Sequence, residues 1–254
     1  MPAPAIMVHG AFCGGWVFDR FKAPFERAGH ACLTPDLPGH GSGEGAAGVC
    51  GQSMAHYASA IVEVIDACAE PPILVGHSLG GLVAQIAATR RPVKGLVLLA
   101  PSAPWGIPGG SMEEAAAVIG LMSLGAYWTQ AIPPDAGLAR SHSLDRLPPA
   151  EREAAVARMV PESGRALWET FHWWMDPFMT TSVSPARIKA PELALAGGSD
   201  GIHPPAAVRQ TAARLGASFR AYSGMSHWLI GEPGFEGVAD DCLAWLEQAE
   251  RAAA

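Results

Sequence analysis

Long apolar runs are missing from this 254-residue sequence. No stretch approaches the ~20 residues a membrane-crossing helix needs, although 49% of the residues are hydrophobic. Basic residues are scarce too: 17 Lys and Arg stand against 24 Asp and Glu, a formal charge of −7. With no Lys/Arg cluster anywhere, a nucleic-acid partner is disfavoured. Cysteine is sparse and scattered. Cys13, Cys32, Cys50, Cys68 and Cys242 are odd in number and contain no Cys-x-x-Cys pair, which argues against a disulfide framework and a zinc site and leaves buried small thiols. The opening Met1-Pro2-Ala3-Pro4-Ala5-Ile6 lacks a basic n-region and a long apolar segment, so the expectation is a cytoplasmic protein. There is no internal repeat, and the one biased tract is a short Ala-rich tail, Arg251 to Ala254, expected to fray. What remains is enough chain for one large α/β domain with room for an insertion.

The most informative stretch runs from Ile73 to Ala84. Pro72 to Val75 is apolar and β-branched, a strand pattern. Leu79, Leu82, Val83 and Ile86 then recur at helical spacing, in a helix that must stop before Pro92. Between strand and helix lies Gly-x-Ser-x-Gly, as Gly76, Ser78 and Gly80. A bare match to that pattern says little, since glycine and serine abound in turns. The strand-turn-helix context gives it a mechanical reason: the serine takes a strained backbone so that its hydroxyl projects, and a Cβ on either flank would clash. The helix dipole and free amides then lie beside that hydroxyl.

The rest of the chain alternates strands with helices. Ala5 to Val8 is a strand, Trp16 to Ala28 a helix stopped by Gly29, and Ala31 to Thr34 a strand. A glycine-rich loop extends to Gly51, Ser53 to Cys68 is an amphipathic helix, and Leu96 to Ala100 is another buried strand. Near-continuously apolar strands separated by helices mean a mostly parallel sheet with helices on both faces. The rhythm breaks at Pro101. From Ser102 to about Pro185 the pattern offers helices and loops but no convincing strand: a capping box of Ser111 and Glu114 opens a helix toward Leu124, and further helices run from Pro149 to Arg158 and from Glu162 to Met175. Alternation resumes with a strand at Leu193–Ala196, a helix from Pro204 to Leu215, a strand at Ser218–Tyr222 and a last amphipathic helix carrying Val238, Ala239, Cys242, Leu243 and Leu246 inward. The organisation expected is a core of residues 1–101 and 186–254 with a helical cap inserted at 102–185.

A serine nucleophile needs a base, and the base needs an orienting carboxylate. In parallel sheets such groups lie beyond the carboxyl ends of strands. One later strand ends in Gly197-Gly198-Ser199-Asp200 and another in Ser223-Gly224-Met225-Ser226-His227, so Ser78, Asp200 and His227 are the candidate catalytic residues, in the order Ser…Asp…His. Asp200 could instead be an Asx-turn residue, with Asp36 and Asp176 as rival acids. Asp36 suits tying down its own loop. His30, His40, His56, His142, His172 and His203 receive no role, His203 being the nearest rival to watch. Candidate oxyanion donors are the Leu79 N–H at the helix start and the Ala11 N–H in the loop His9-Gly10-Ala11.

Val8-His9-Gly10-Ala11, Asp36-Leu37-Pro38-Gly39-His40-Gly41, Gly76 through Gly81, Gly197 to Asp200 and His227 together resemble the α/β-hydrolase superfamily over essentially the whole chain except the cap. The resemblance implies Ser78 as nucleophile, His227 as base, Asp200 as acid, and the Ala11 and Leu79 amides as oxyanion hole. The stretch from His9 through Trp16 to His30 is similar to the branch of small carboxylesterases, methyl esterases and hydroxynitrile lyases. Lyases of that branch carry lysine after the catalytic histidine, where this chain has Trp228. Ring-cleaving C–C hydrolases usually carry asparagine before the serine, where this chain has His77. Dehalogenases and epoxide hydrolases use an aspartate nucleophile, which Ser78 replaces.

Five of the eight tryptophans (Trp105, Trp128, Trp168, Trp173 and Trp174) fall in the insertion, with Phe171 and Phe178 nearby. They suit either the cap's own core or the wall of an apolar pocket. On the second reading Phe12, Trp16, Trp105, Trp128, Trp168, Trp174 and Trp228 contact substrate. No Arg or Lys is placed to hold a carboxylate or phosphate. The function expected is a serine esterase acting on a small neutral, hydrophobic or aromatic ester through an acyl-enzyme, with no metal or organic cofactor. The alternatives are C–C or lactone hydrolysis, or cofactor-free perhydrolysis, on the same triad, and a slow-turnover ligand-binding homologue.

Overall fold

A computed structural model describes residues 2–41 and 45–253 of the chain. Six strands form one wholly parallel sheet: β1 (Ala5–Val8), β2 (Cys32–Leu33), β3 (Ile73–His77), β4 (Gly95–Leu99), β7 (Glu192–Gly197) and β8 (Ser218–Tyr222), in the order β2-β1-β3-β4-β7-β8. β5 (Ala131–Ile132) and β6 (Glu162–Ser163) form a separate antiparallel pair within the segment between β4 and β7, where the sequence offered no strand. Two residues per strand are too few to leave a period-2 pattern.

Alternate strand residues serve opposite faces. Met7, Val75, Val97 and Leu195 pack on one side with α1 (Lys22–Arg27) and α10 (Phe235–Ala253). Val8, Leu74, Leu98 and Ala196 pack on the other with α3 (Met54–Asp66), α4 (Leu79–Ala88) and α9 (Pro205–Leu215). This is why the strands read as unbroken apolar runs. α4 is buried along all ten residues between sheet and α3. α3 starts at a capping box in which Ser53 Oγ accepts the His56 N–H and His56 Nδ1 accepts the Ser53 N–H, the imidazole taking the part usually played by glutamate.

Several elements differ from the sequence pattern. The helix expected over Trp16–Ala28 is a 3₁₀ turn, Gly15–Phe18, followed by α1, with Phe18, Phe21 and Phe25 nevertheless all fully buried. The loop expected before Gly51 holds a short helix, α2 (Gly45–Val49), and its residues 42–44 lie outside those described. The helix expected over Glu162–Met175 begins only at α8 (Gly164–Phe171), because Glu162–Ser163 pairs as a strand and Ser163 caps the helix by accepting the Ala166 N–H. Helix α10 extends to Ala253, through the tail expected to fray, and Ala254 lies outside the described residues. α5 (Met112–Ser123) shows half of the expected capping box: Ser111 Oγ accepts the Glu114 N–H at 2.9 Å, and among the described residues no bond returns from the Glu114 side chain. The β4–β7 segment also holds a turn of helix, α6 (Ala136–Leu138), and α7 (Pro149–Ala157), with short 3₁₀ and π turns between its helices. Among the described residues no helix is long and apolar enough to cross a membrane, and all five cysteines are free thiols.

Topology places the site. The chain steps outward from β1 to β2, then returns to β3 on the other side of β1, so strand order reverses between β1 and β3. Crevices in open α/β sheets form at such reversals, beyond the carboxyl ends of the strands. The loop after β1 begins at His9 and the turn after β3 holds Ser78.

Candidate active site

Ser78 sits between β3 and α4 with φ 54° and ψ −124°, a left-handed conformation that non-glycine residues avoid and that persists only where neighbours enforce it. The flanking glycines allow it. A Cβ on Gly76 would lie 2.7 Å from Gly81 Cα, and one on Gly80 would run into the carbonyl oxygens of Val8 and His9. Gly80→Ala is therefore expected to destabilise the fold by about 1–3 kcal/mol through overpacking; a urea melt unchanged from wild type would show that β1 can yield.

The Ser78 hydroxyl reaches His227 Nε2 at 3.1 Å, and His227 Nδ1 reaches Asp200 Oδ2 at 2.9 Å. The other Asp200 oxygen accepts the N–H groups of Ile202 and His203 at 2.8 and 2.9 Å. Burial works to raise the Asp200 pKa, but His227, His203 and these bonds hold it below its ordinary 3.8. The carboxyl is ionised at neutral pH.

The rival acids are engaged elsewhere. Asp36 Oδ1 accepts the Gly15 N–H at 2.7 Å, and Asp176 accepts the N–H groups of Phe178 and Thr180. His203 does lie beside His227, ring centroids 5.1 Å apart, but it is a neutral neighbour. Burial and the nearby His227 lower its pKa to about 4. Its Nδ1–H donates to the Ala100 carbonyl at 2.8 Å, leaving Nε2 to accept the Ser102 hydroxyl at 3.3 Å. His77 donates its Nε2–H to the His227 carbonyl at 3.0 Å and meets the Trp228 ring edge-on at 5.4 Å, with burial first and His227 second lowering its pKa to about 3. His77 and Trp228 thus touch one another, and His77 ties down the loop that presents His227.

Ser78 opens into a cavity of about 630 Å³ that Ala11 and Leu79 also line. Leu79 is the first residue of α4, so its N–H has no partner within the helix. The Ala11 loop is pressed against the serine: a Cβ on Gly10 would lie 2.9 Å from Ser78 Cβ. Phe12, Trp16 and Trp228 line the cavity too. Trp105, Trp128, Trp168 and Trp174, expected to contact substrate, are not among its walls. Trp105 packs edge-on against Trp173 at 5.3 Å, Trp168 stacks on His172, and Trp128 and Trp174 are 45% and 60% exposed. Trp105 and Trp168 thus pack against other aromatic rings of the same segment, and Trp128 and Trp174 leave much of theirs to solvent. Instead the lining includes Leu121, Ile132, Leu144 and Leu167, which carry no assignment from sequence because an aliphatic wall and a helix core share one pattern, and Phe171, one of the insertion aromatics that suited either role. Among the described residues no lysine or arginine lines the cavity, and the carboxylates that do are Glu113, Glu114 and Asp135. Among the described residues no cluster of His, Cys, Asp and Glu is arranged to hold a metal ion.

A parallel sheet with a serine on a strained strand-to-helix turn, hydrogen-bonded to a histidine and an aspartate from later strand ends, defines a hydrolase-like α/β protein. The chain belongs to the alpha/beta hydrolase family, whose model matches residues 5–240. Curated relatives include a pyrethroid hydrolase of Sphingobium wenxiniae, 33% identical over 96 residues (37% of this chain and 34% of that protein). Methylesterase 9 of Arabidopsis thaliana is 32% identical over 91 residues, 35% of each chain. The matches thus span about a third of those relatives' length. Among solved structures, a methylesterase from Arabidopsis superposes with a TM-score of 0.74 at 15% identity, covering 97% of this chain and 99% of that one, which shows the shared α/β-hydrolase fold.

Proposed function

We propose that this chain is a serine carboxylesterase acting on small neutral, hydrophobic or aromatic esters, with residues 102–185 forming a helical cap over residues 1–101 and 186–254. The observation that carries the reading is the hydrogen-bonded run Ser78–His227–Asp200 opening into an apolar cavity that lacks any cationic side chain. His227 Nε2 takes the Ser78 proton as Oγ attacks the ester carbonyl carbon. The oxyanion that forms is held by the Ala11 and Leu79 N–H groups, and Asp200 keeps the imidazole proton on Nδ1, so that Nε2 is free to accept. As the tetrahedral species collapses, the alcohol leaves with the proton from Nε2 and the acyl group stays on Oγ. Water, deprotonated by His227, then repeats the attack and releases the acid. Five free thiols suit a reducing, cytoplasmic setting.

Glu113, Glu114 and Asp135 along the cavity disfavour an anionic substrate, and Phe12, Trp16 and Trp228, which line it with Ser78, suit an aryl or alkyl group. The test is a p-nitrophenyl ester series, acetate through octanoate, together with stoichiometric labelling by a fluorophosphonate. Turnover with an optimum among the shorter chains, and one phosphonyl group located on Ser78 by mass spectrometry, is the result expected. A folded protein that hydrolyses no ester and takes no label would overturn the reading.

A further inference from the structure

One buried charged cluster takes no part in the steps above. Glu162, in β6, is fully buried, and its carboxylate meets the imidazole of His40, 122 residues away in sequence, at 3.0 Å. Its Oε1 accepts the Tyr57 hydroxyl at 2.6 Å and the Ser163 N–H at 2.7 Å. Its Oε2 accepts from His40 Nε2 and, at 3.3 Å, from the backbone N–H of Phe12. The second His40 nitrogen faces the Pro38 carbonyl at 3.3 Å, so both ring nitrogens meet acceptors, the pattern of an imidazolium. A buried ion pair rarely outdoes an apolar pair of equal volume in stability. Some other benefit is to be sought, and Phe12 supplies it.

Phe12 follows Ala11 and stands at φ 63°, a region a bulky residue enters only when held there. Its N–H is bound by Glu162, and its carbonyl accepts the Val160 N–H at 2.9 Å. Both main-chain groups of Phe12 are therefore gripped by one short stretch, Val160–Glu162. Gripping them fixes the peptide plane that follows Ala11, in the loop whose Gly10 packs against Ser78.

We propose that Glu162, ionised and steadied by His40 and Tyr57, is a positioning residue that locks the Phe12 main chain and so aims the Ala11 N–H at the oxyanion. The inference rests on the esterase reading and adds to it a residue that touches neither substrate nor reacting atoms. A carboxylate suits the task because a bond to an ionised acceptor is roughly twice as strong as a neutral one, and the charge keeps even a 3.3 Å contact with the Phe12 N–H attractive. An aimed donor helps only where negative charge develops, so its loss falls on the transition state and spares ground-state binding.

The test is Glu162→Gln on the full chain. The amide can keep an oxygen toward Tyr57 and Ser163, but its NH₂ then faces Phe12 and accepts nothing. Active sites are counted by fluorophosphonate labelling, and kcat per labelled site and KM are measured with a p-nitrophenyl ester. The expected result is a fall in kcat per site of about ten- to hundredfold, the scale of a catalytic donor misplaced by up to an ångström, with KM within about twofold. Leu246→Ala, a cavity in α10 against Gly95 at the amino end of β4, serves as the stability control and is expected to lower Tm while leaving kcat per site near wild type. Should Glu162→Gln not fold, His40→Asn is read in its place, with a fall in the same direction. A kcat per site within twofold of wild type, or a fall matched by Leu246→Ala, overturns the proposal while wild-type turnover leaves the esterase reading standing. Absence of wild-type turnover would overturn both.

Discussion

Ser78→Ala is expected to lower kcat for ester hydrolysis by about a millionfold, the scale seen when a triad nucleophile is removed. His227 Nε2, 3.1 Å from the hydroxyl in the wild type, then has no nucleophile but water to deprotonate. The proposed Ala11 and Leu79 donors and the cavity remain, so a residual rate of about 10³–10⁴ over the uncatalysed reaction should persist. Asp200→Asn should cost about 10⁴, because the amide presents a donor where Asp200 Oδ2 accepts from His227 Nδ1, which turns the imidazole to the tautomer carrying its proton on Nε2. Groups that act as a unit are not additive, so the double variant should be no slower than Ser78→Ala alone. Single-turnover hydrolysis of p-nitrophenyl butyrate at high enzyme concentration measures all three. A Ser78→Ala enzyme retaining more than about 1% of kcat, far above that residual rate, would sink the nucleophile assignment.

The second large effect is on stability. His40→Leu is expected to destabilise the protein by about 3–5 kcal/mol near pH 6, since it leaves the Glu162 carboxylate buried without its cation. In a Glu162→Gln background the same change should cost far less. The pH dependence follows from the two shifts. Burial opposes charge on both partners. Even so, the Glu162 charge and hydrogen bond raise the His40 pKa above its ordinary 6.5, and His40, with the Tyr57 and Ser163 donors, lowers that of Glu162 below its ordinary 4.5. The depressed carboxyl contributes stability above pH 4.5 that is lost as pH falls through its folded value. The raised imidazole contributes stability below pH 6.5 that is lost as pH rises through its folded value. The pair is therefore worth most between pH 4.5 and 6.5. His9, ring centroid 5.0 Å from His40, does not share this titration, because burial and the His40 charge lower its pKa to about 4. Urea melts of wild type and the double variant across pH 4 to 9 should differ most inside that window, and a flat difference would show that the pair is not ionised.

Burying an ion pair at this place has a structural logic. Segments 160–163 and 169 meet the N-terminal end of α3 through polar contacts: Glu162 to Tyr57, the Ser163 hydroxyl to the Gln52 carbonyl at 2.6 Å, and the Met54 N–H to Glu169 at 2.8 Å. Directional bonds define one docking geometry where an apolar contact would tolerate sliding. The loop beside Ser78 inherits that geometry.

Much of this molecule is legible in local sequence. Strands β1, β3, β4 and β7 show as apolar runs because both their faces are covered. Gly76 and Gly80 flank Ser78 because a Cβ at either would strike neighbouring backbone atoms, and that constraint acts over a few residues. Asp200 and His227 stand just past strand ends, so the sheet's own topology was enough to nominate them. Interactions across the fold were not legible in this way. Trp168 and Leu167 are adjacent on α8, yet Leu167 lines the cavity and Trp168 stacks on His172, a choice made by how α8 docks rather than by either side chain's apolar character. Glu162 read as the start of a helix and His40 as a loop histidine, since nothing in a sequence window connects residues that far apart. Hydrophobic period and backbone sterics are written locally, whereas the partner of a buried charge is settled only when the chain closes on itself.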